Sequence, residues 1–138
     1  MQRTLCIIKP DAVEKNLQGK IIKIILDAGF QILNLKPVRL TRKQAEKFYE
    51  IHKDKMFYSE LVEFMTSGSC IPIALVKENA VNDFRELIGA TNPAEAKEGT
   101  IRKLYADDKQ RNAVHGSDSV ENGIKEVNFF FPEIELTM

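Results

Sequence analysis

Cysteine is scarce in this chain: Cys6 and Cys70 are the only two in 138 residues, each inside an apolar run. Two thiols in separate strand-like segments make no disulfide framework, so they read as reduced core residues of a reducing compartment. Histidine is equally rare, with only His52 and His115. Neither a His-Glu-x-x-His nor a Cys-x-x-Cys spacing occurs, so no metal cage built from protein side chains is expected. The patterns G-x-x-x-x-G-K-[ST] and G-x-G-x-x-G are also missing, and any phosphate must therefore be held by side chains rather than by a glycine-rich cradle. Charge of one sign is not in excess, because 20 basic residues balance 20 acidic ones. No global field then draws nucleic acid or an anionic membrane, and neither is an expected partner. No apolar run is long enough to cross a bilayer, and the first residues resemble a strand rather than a signal peptide, so cytoplasmic residence is the expectation.

What is present is ample core material. Hydrophobic residues make up 43% of the chain, and with no internal repeat, low-complexity segment or boundary, residues 1–138 are expected to form a single domain. Thr4 to Ile8 reads as a buried strand, and Lys9 is presented at its end because Pro10 forces the residue before it into extended geometry. Lys20 to Ala28 has helical spacing closed by Gly29. Gln31 to Leu40 alternates as a strand with a bulge or sheet edge at Pro37. Thr41 and Gln44 have capping-box spacing before a helix to about His52, and a second helix after Tyr58 carries Leu61, Phe64 and Met65. Cys70 to Val76 is an apolar run suited to a central strand. Asn79 can cap a helix that Gly89 ends. Ala90 to Arg111 shows little periodicity and reads as a long functional loop. A helix from Val120 to Val127, with Val120, Ile124 and Val127 inward, leads to a last strand at Asn128–Phe131.

This order fits an α+β sandwich with helices on one face of four main strands. The expected fold is a ferredoxin-like βαββαβ core with a four-stranded antiparallel sheet, an inserted helical hairpin and a long loop. A flavodoxin-like doubly wound sheet is the runner-up, since strand–helix alternation alone does not fix strand direction.

The richest stretch runs from Asn112 to Ser119. His115 stands at a strand-to-helix turn, Gly116 gives a substrate close access to the ring, and oxygens of Ser117 and Asp118 are placed to orient it, with Ser119 near a helix cap. Lys9, Arg85 and Arg102 lie beside glycines, prolines or element ends, where cations from separate segments can converge on a polyphosphate. A histidine beside such cations implies covalent phosphoryl transfer. Tyr49 reads as plain core on these grounds, and Phe57 as a bulky turn residue that either staples two helices or offers a flat face to a ligand.

Four motifs then carry a resemblance: Asn112-Ala-Val-His115-Gly-Ser117-Asp-Ser119, Ile8-Lys9-Pro10-Asp11-Ala12, Gly89-Ala90-Thr91-Asn92-Pro93 and Gly99-Thr100-Ile101-Arg102. In that content and order the whole chain resembles the nucleoside diphosphate kinases. The resemblance implies that His115 accepts a phosphoryl group from a nucleoside triphosphate and passes it to a diphosphate in a ping-pong cycle, with Glu126 and Ser117 supporting the ring. It implies phosphate contacts from Arg85, Thr91 and Arg102, and sugar and phosphate contacts from Lys9 and Asn112. Tyr49 would lie near the transferred group, and Phe57 would stack on a base without reading its edge. Mg2+ would be brought by the nucleotide, and a homo-oligomer, tetramer or hexamer, is implied. Leu104, Met56, Ser69 and Lys109 depart from the family's usual residues, Lys109 replacing an apolar base contact. A histidine phosphocarrier and a noncatalytic nucleotide-binding or assembly module are the competing readings. A coupled assay with ATP and several diphosphates separates all three.

Overall fold

A computed structural model describes residues 1–136. Its organising strands are β1 (Gln2–Ile8) and β3 (Ile71–Lys77), both buried almost throughout. They pair antiparallel, with Leu5 opposite Ala74 and Cys6 opposite Ile73. β2 (Gln31–Leu35) flanks β3 and the short β4 (Val114–Gly116) flanks β1, giving the order β2-β3-β1-β4 with every pairing antiparallel. This is the ferredoxin-like arrangement expected. The irregularity in β2 falls between Ile32 and Asn34, and Val38 still bridges to Cys70.

Helices cover both faces of the sheet, not one. Leu5, Ile7, Ala74 and Val76 form one core with Ala45 of α3 (Arg42–Phe48), Val62 and Met65 of α4 (Tyr58–Met65) and Val127 of α7 (Val120–Phe130). Cys6, Ile8, Ile73 and Leu75 form another with Ala12 of α1 (Pro10–Glu14), Ile21 and Ile25 of α2 (Gln18–Asp27), Phe84 and Ile88 of α5 (Ala80–Ile88) and Ile101 of α6 (Ile101–Tyr105). The cause is legible in β1 and β3, whose unbroken apolar runs need cover on each side.

The fourth strand is Val114–Gly116, and the expected strand at Asn128–Phe131 is instead largely the end of α7. Gly123, Val127 and Phe130 are buried at helical spacing, while Val120 and Ile124 are exposed, so the helix turns a different stripe inward from the one expected. Gly123 permits this seat. A Cβ there would lie 2.4 Å from the Arg3 carbonyl oxygen. The long loop also contains structure: a 3-10 turn at Pro93–Glu95 and α6, whose first turn is capped by Thr100 Oγ1 accepting from Lys103 N at 3.3 Å. A five-residue helix is too short to show periodicity, and its capping threonine is the signal that reveals it.

The expected capping box at Thr41 and Gln44 is formed, at 3.1 and 2.9 Å. Asn79 makes no side-chain cap. Gln2 Oε1 instead accepts from Val81 N at the start of α5. Cys6 and Cys70 are buried and free, and burial pushes both thiols up, Cys70 to about 11. Among the described residues no helix is long and apolar enough to cross a membrane.

Candidate active site

The turn before β4 places the site. His115 pairs with Ile7 across the β1–β4 ladder, and its Nε2 lies 2.7 Å from Glu126 Oε1 on α7. Ser117 Oγ donates to the same oxygen at 2.7 Å and accepts from Leu5 N at 3.0 Å, so sheet and helix jointly fix the carboxylate. Because a carboxylate accepts, Nε2 carries the hydrogen and Nδ1 keeps its lone pair. The Phe48 ring meets the imidazole at 5.5 Å and 72°, a T-shaped contact that helps hold the ring plane. Ser117 therefore acts through Glu126, and Asp118 does not orient the ring. Its Oδ1 accepts from Asn122 Nδ2 at 2.7 Å instead, while Ser119 caps α7 as expected. Gly116 is demanded by packing as well as access, since a Cβ would sit 3.0 Å from Ile88 and Phe84.

Behind this turn lie buried cations. Lys9 is 8% exposed and donates to Asn112 Oδ1 at 2.8 Å. Burial, then the charge of Arg102, holds its ammonium down at about 8, with Asp11 opposing. Arg102 is 9% exposed and donates from Nη1 to Gly89 O at 2.9 Å and from Nη2 to Val114 O at 3.0 Å. Its Nε is buried without a partner, and burial followed by Arg85 lowers it to about 10. Among the described residues neither Lys9 nor Arg102 has an ion-pair partner. Desolvated positive charge of this kind is what an incoming anion would relieve.

Asn112, 2% exposed, knits the segments together. Its Nδ2 donates to Thr91 O at 3.3 Å and to Lys109 O at 3.0 Å. A cavity of about 900 Å³ is lined by Arg85, Thr91, Thr100, Arg102 and Gly116, among others. Its lining also carries Lys97 and the carboxylates of Glu86, Glu95 and Glu98, and Lys9, Asn112, His115, Tyr49 and Phe57 do not line it. Tyr49 is buried, its hydroxyl has no partner among the described residues, and burial, then Cys70 and Glu126, push its pKa well above the usual phenol range and keep it protonated. It joins the histidine through Phe48, whose ring lies 4.8 Å from that of Tyr49. Phe57 stands apart at 49% exposure, its ring 5.5 Å from that of His52.

Two residues of this constellation were not expected from sequence. Phe48 carries no role in the sequence reading. Asp11 enters it only as a member of the Ile8-Lys9-Pro10-Asp11-Ala12 motif, yet it is buried and accepts the Ala113 N–H at 3.1 Å.

The model of the family described as nucleoside diphosphate kinase matches residues 2–136. The chain belongs to the nucleoside diphosphate kinase family. A relative named nucleoside diphosphate kinase from Chloroherpeton thalassium is 63% identical over 131 residues, covering 95% of this chain and 93% of its own. One from Salinibacter ruber is 53% identical, covering 98% and 95%. The solved nucleoside diphosphate kinase of Aquifex aeolicus superposes with a TM-score of 0.96 at 42% identity, covering 99% of each chain. That of Halobacterium salinarum, solved in complex with CDP, superposes at 0.95 and 34% identity over 99% of this chain and 91% of its own. As a member of the nucleoside diphosphate kinase family the chain is a phosphotransferase, moving the γ-phosphoryl group of a nucleoside triphosphate to a nucleoside diphosphate.

Proposed function

We propose that His115 is the phosphoryl carrier of this kinase and that Nδ1 is the attacking atom. The observation that carries the reading is the short Nε2–H to Glu126 hydrogen bond, which leaves Nδ1 as the free lone pair on a segment whose Asn112 and Val114 hold the buried cations Lys9 and Arg102. Nδ1 attacks the γ-phosphorus, a P–N bond forms, and the bond to the β,γ-bridging oxygen breaks with its electrons leaving on the diphosphate. A second diphosphate's terminal oxygen then attacks the same phosphorus, and the P–N electrons return to Nδ1. Glu126, steadied by Ser117, balances the positive charge that develops on the ring.

Transfer of this kind needs alignment and charge neutralisation more than covalent help. Lys9, Arg85, Thr91 and Arg102 supply the phosphate contacts, and Asn112 with Lys9 reaches the sugar hydroxyl. The Tyr49 hydroxyl, a donor with no partner among the described residues, serves the transferred group. Phe57 offers a face every base can stack on, which accounts for broad base tolerance.

Mg2+ fits as a passenger of the nucleotide. Among the described residues no three His, Cys, Asp or Glu side chains gather for a metal ion, whereas the buried cations suit the phosphate oxygens that such an ion leaves free. Carried in on the nucleotide, such an ion would neutralise phosphate charge that Lys9, Arg85 and Arg102 leave unpaired. The protein is further read as a homo-oligomer, tetramer or hexamer, as the family resemblance implies. Light scattering at two concentrations decides between these sizes. Buried free thiols suit the cytoplasm, which cell fractionation checks.

The test is labelling. Protein incubated with γ-labelled ATP takes up acid-labile label and releases it to several diphosphates, and His115→Gln takes up none. Exchange by His115→Gln at the unmodified rate overturns the proposal. Label that no diphosphate removes points to a phosphocarrier.

A further inference from the structure

The transfer described above gives no task to Asp11, a carboxylate that is only 6% exposed. Its Oδ2 accepts the Ala113 N–H at 3.1 Å, and the neighbouring Lys9 N donates to the Ala113 carbonyl at 2.9 Å. Both polar groups of Ala113 are thus tied to one short segment. Ala113 has a φ of +72°, left-handed backbone that a residue with a Cβ adopts only under constraint.

What flanks that strained residue is the site itself. On one side is Asn112, whose amide joins Lys9, Thr91 and Lys109. On the other is Val114, whose carbonyl receives Arg102, and then His115. A turn that relaxed by one dihedral would move all of these together.

We propose that Asp11 is a positioning residue for phosphoryl transfer: its carboxylate locks the strained Ala113 turn that carries Asn112, Val114 and His115. Its charge also opposes the burial and the Arg102 charge that disfavour the Lys9 ammonium, an effect that bears on transfer only through the reading of Lys9 as a nucleotide contact. Lys9 is faced by Arg102 from α6, which disfavours its charge, by Asp11 from α1, which favours it, and by the neutral Asn112 amide. Cys6 on β1 is held neutral by burial. Asp11 in turn is shifted up by burial and pulled back by the Ala113 N–H, Lys9 and the Ala12 N–H.

Three variants separate clamp from charge. Asp11→Asn retains an acceptor for the Ala113 N–H and loses the charge. Turnover at pH 7 falls less than in Asp11→Ala, while the Lys9 titration, read from its 13Cε signal, and the alkaline limb of kcat/KM move together by roughly half a pH unit or more to lower pH. Asp11→Ala loses both functions, and kcat falls about tenfold or more as the turn relaxes. Adding Ala113→Gly to Asp11→Ala restores much of kcat, because glycine holds positive φ without a clamp, but leaves the Lys9 titration displaced. An unmoved Lys9 titration in Asp11→Asn overturns the charge role, and no recovery from Ala113→Gly overturns the clamp. If Asp11→Ala does not fold, the Asp11→Asn titration and profile decide. Failure of the unmodified protein to take label on His115 would sink the carrier reading instead, and the Lys9 titration would still report on Asp11.

Discussion

The two ends of the proposed nucleotide site are built on opposite principles. At the phosphate end Lys9, Arg102 and Asn112 are all at least nine-tenths buried and each is held by side-chain hydrogen bonds. At the base end Phe57 is half exposed on the turn before α4, its ring leaning on His52. The difference shows where precision is needed. Phosphoryl transfer depends on placement of charge, so those groups are fixed in advance even though desolvating them is unfavourable while the site is empty. A base that need only be stacked requires a face and no more.

The sharpest way to break that contrast is Lys9→Met. Holding an ammonium at about 8 instead of 10.5 corresponds to roughly 3 kcal/mol of destabilisation at 1.36 kcal/mol per pH unit. Losing the Asn112 hydrogen bond gives back about 1–2 kcal/mol. The variant is therefore expected to be more stable at pH 7 by about 1–2 kcal/mol while kcat/KM falls by roughly 10³-fold. The pH dependence has a definite sign. The folded-state value is depressed, so the Lys9 penalty is fully present below about 8 and fades as pH rises toward 10.5, where the unfolded chain also releases the proton. Thermal melts should favour Lys9→Met near neutrality and cross within that window, because above 10.5 only the lost Asn112 hydrogen bond separates the two proteins. A variant less stable than its parent at pH 7 would mean that the phosphate end is not strained in advance.

Arg102→Lys tests fixation rather than charge. A lysine keeps the charge but cannot reach both the Gly89 and Val114 carbonyls with a planar fork. A loss of about 10²-fold in kcat/KM is expected, and a near-silent variant would show that only the charge matters.

How far the site could be read in the sequence follows the same division. His115, Ser117, Asn112 and the cations sit in compact motifs whose neighbours are fixed by short-range rules: Pro10 forces Lys9 to a strand end, and Ser119 caps α7. The central strands were legible because β1 and β3 are unbroken apolar runs, and the antiparallel order was the favoured expectation. What escaped depended on long-range approach. Gly123 seats α7 against the Arg3 carbonyl and so selects the stripe that faces inward, a choice hidden from periodicity, which favoured Val120 and Ile124. The three residues of β4 are too few to announce a strand beside the stronger apolar signal of Phe129–Phe131. Asp11 and Phe48 became site residues through partners 102 and 67 positions away, Ala113 and His115.

At the base end a smaller effect of a different kind is expected. Phe57→Ala removes the stacking face and leaves the fixed end untouched, so KM rises about tenfold, with kcat within about twofold, for purine and pyrimidine diphosphates alike. Steady-state kinetics over several diphosphates read this directly. A fall in kcat comparable to that of Arg102→Lys would show that the two ends are one mechanical unit.

Lys109 is tied to the phosphate end by its carbonyl and, on the proposed reading, to the base end by its side chain, so its substitution is the finest probe of the boundary. Its carbonyl is fixed at the phosphate end, accepting from Asn112 Nδ2 at 3.0 Å, while its side chain is exposed. The family resemblance places an apolar base contact at this position. Lys109→Val leaves the carbonyl, and with it Asn112, in place. Burying roughly 40 Å² of valine against a base would contribute about 1 kcal/mol, roughly a fivefold tighter Kd. Calorimetry with a nucleoside diphosphate should show that gain with kcat unchanged. Equal binding by the two proteins would mean that the lysine stem already covers the base as well as valine does, and that the departure from the family at this position has no consequence for affinity.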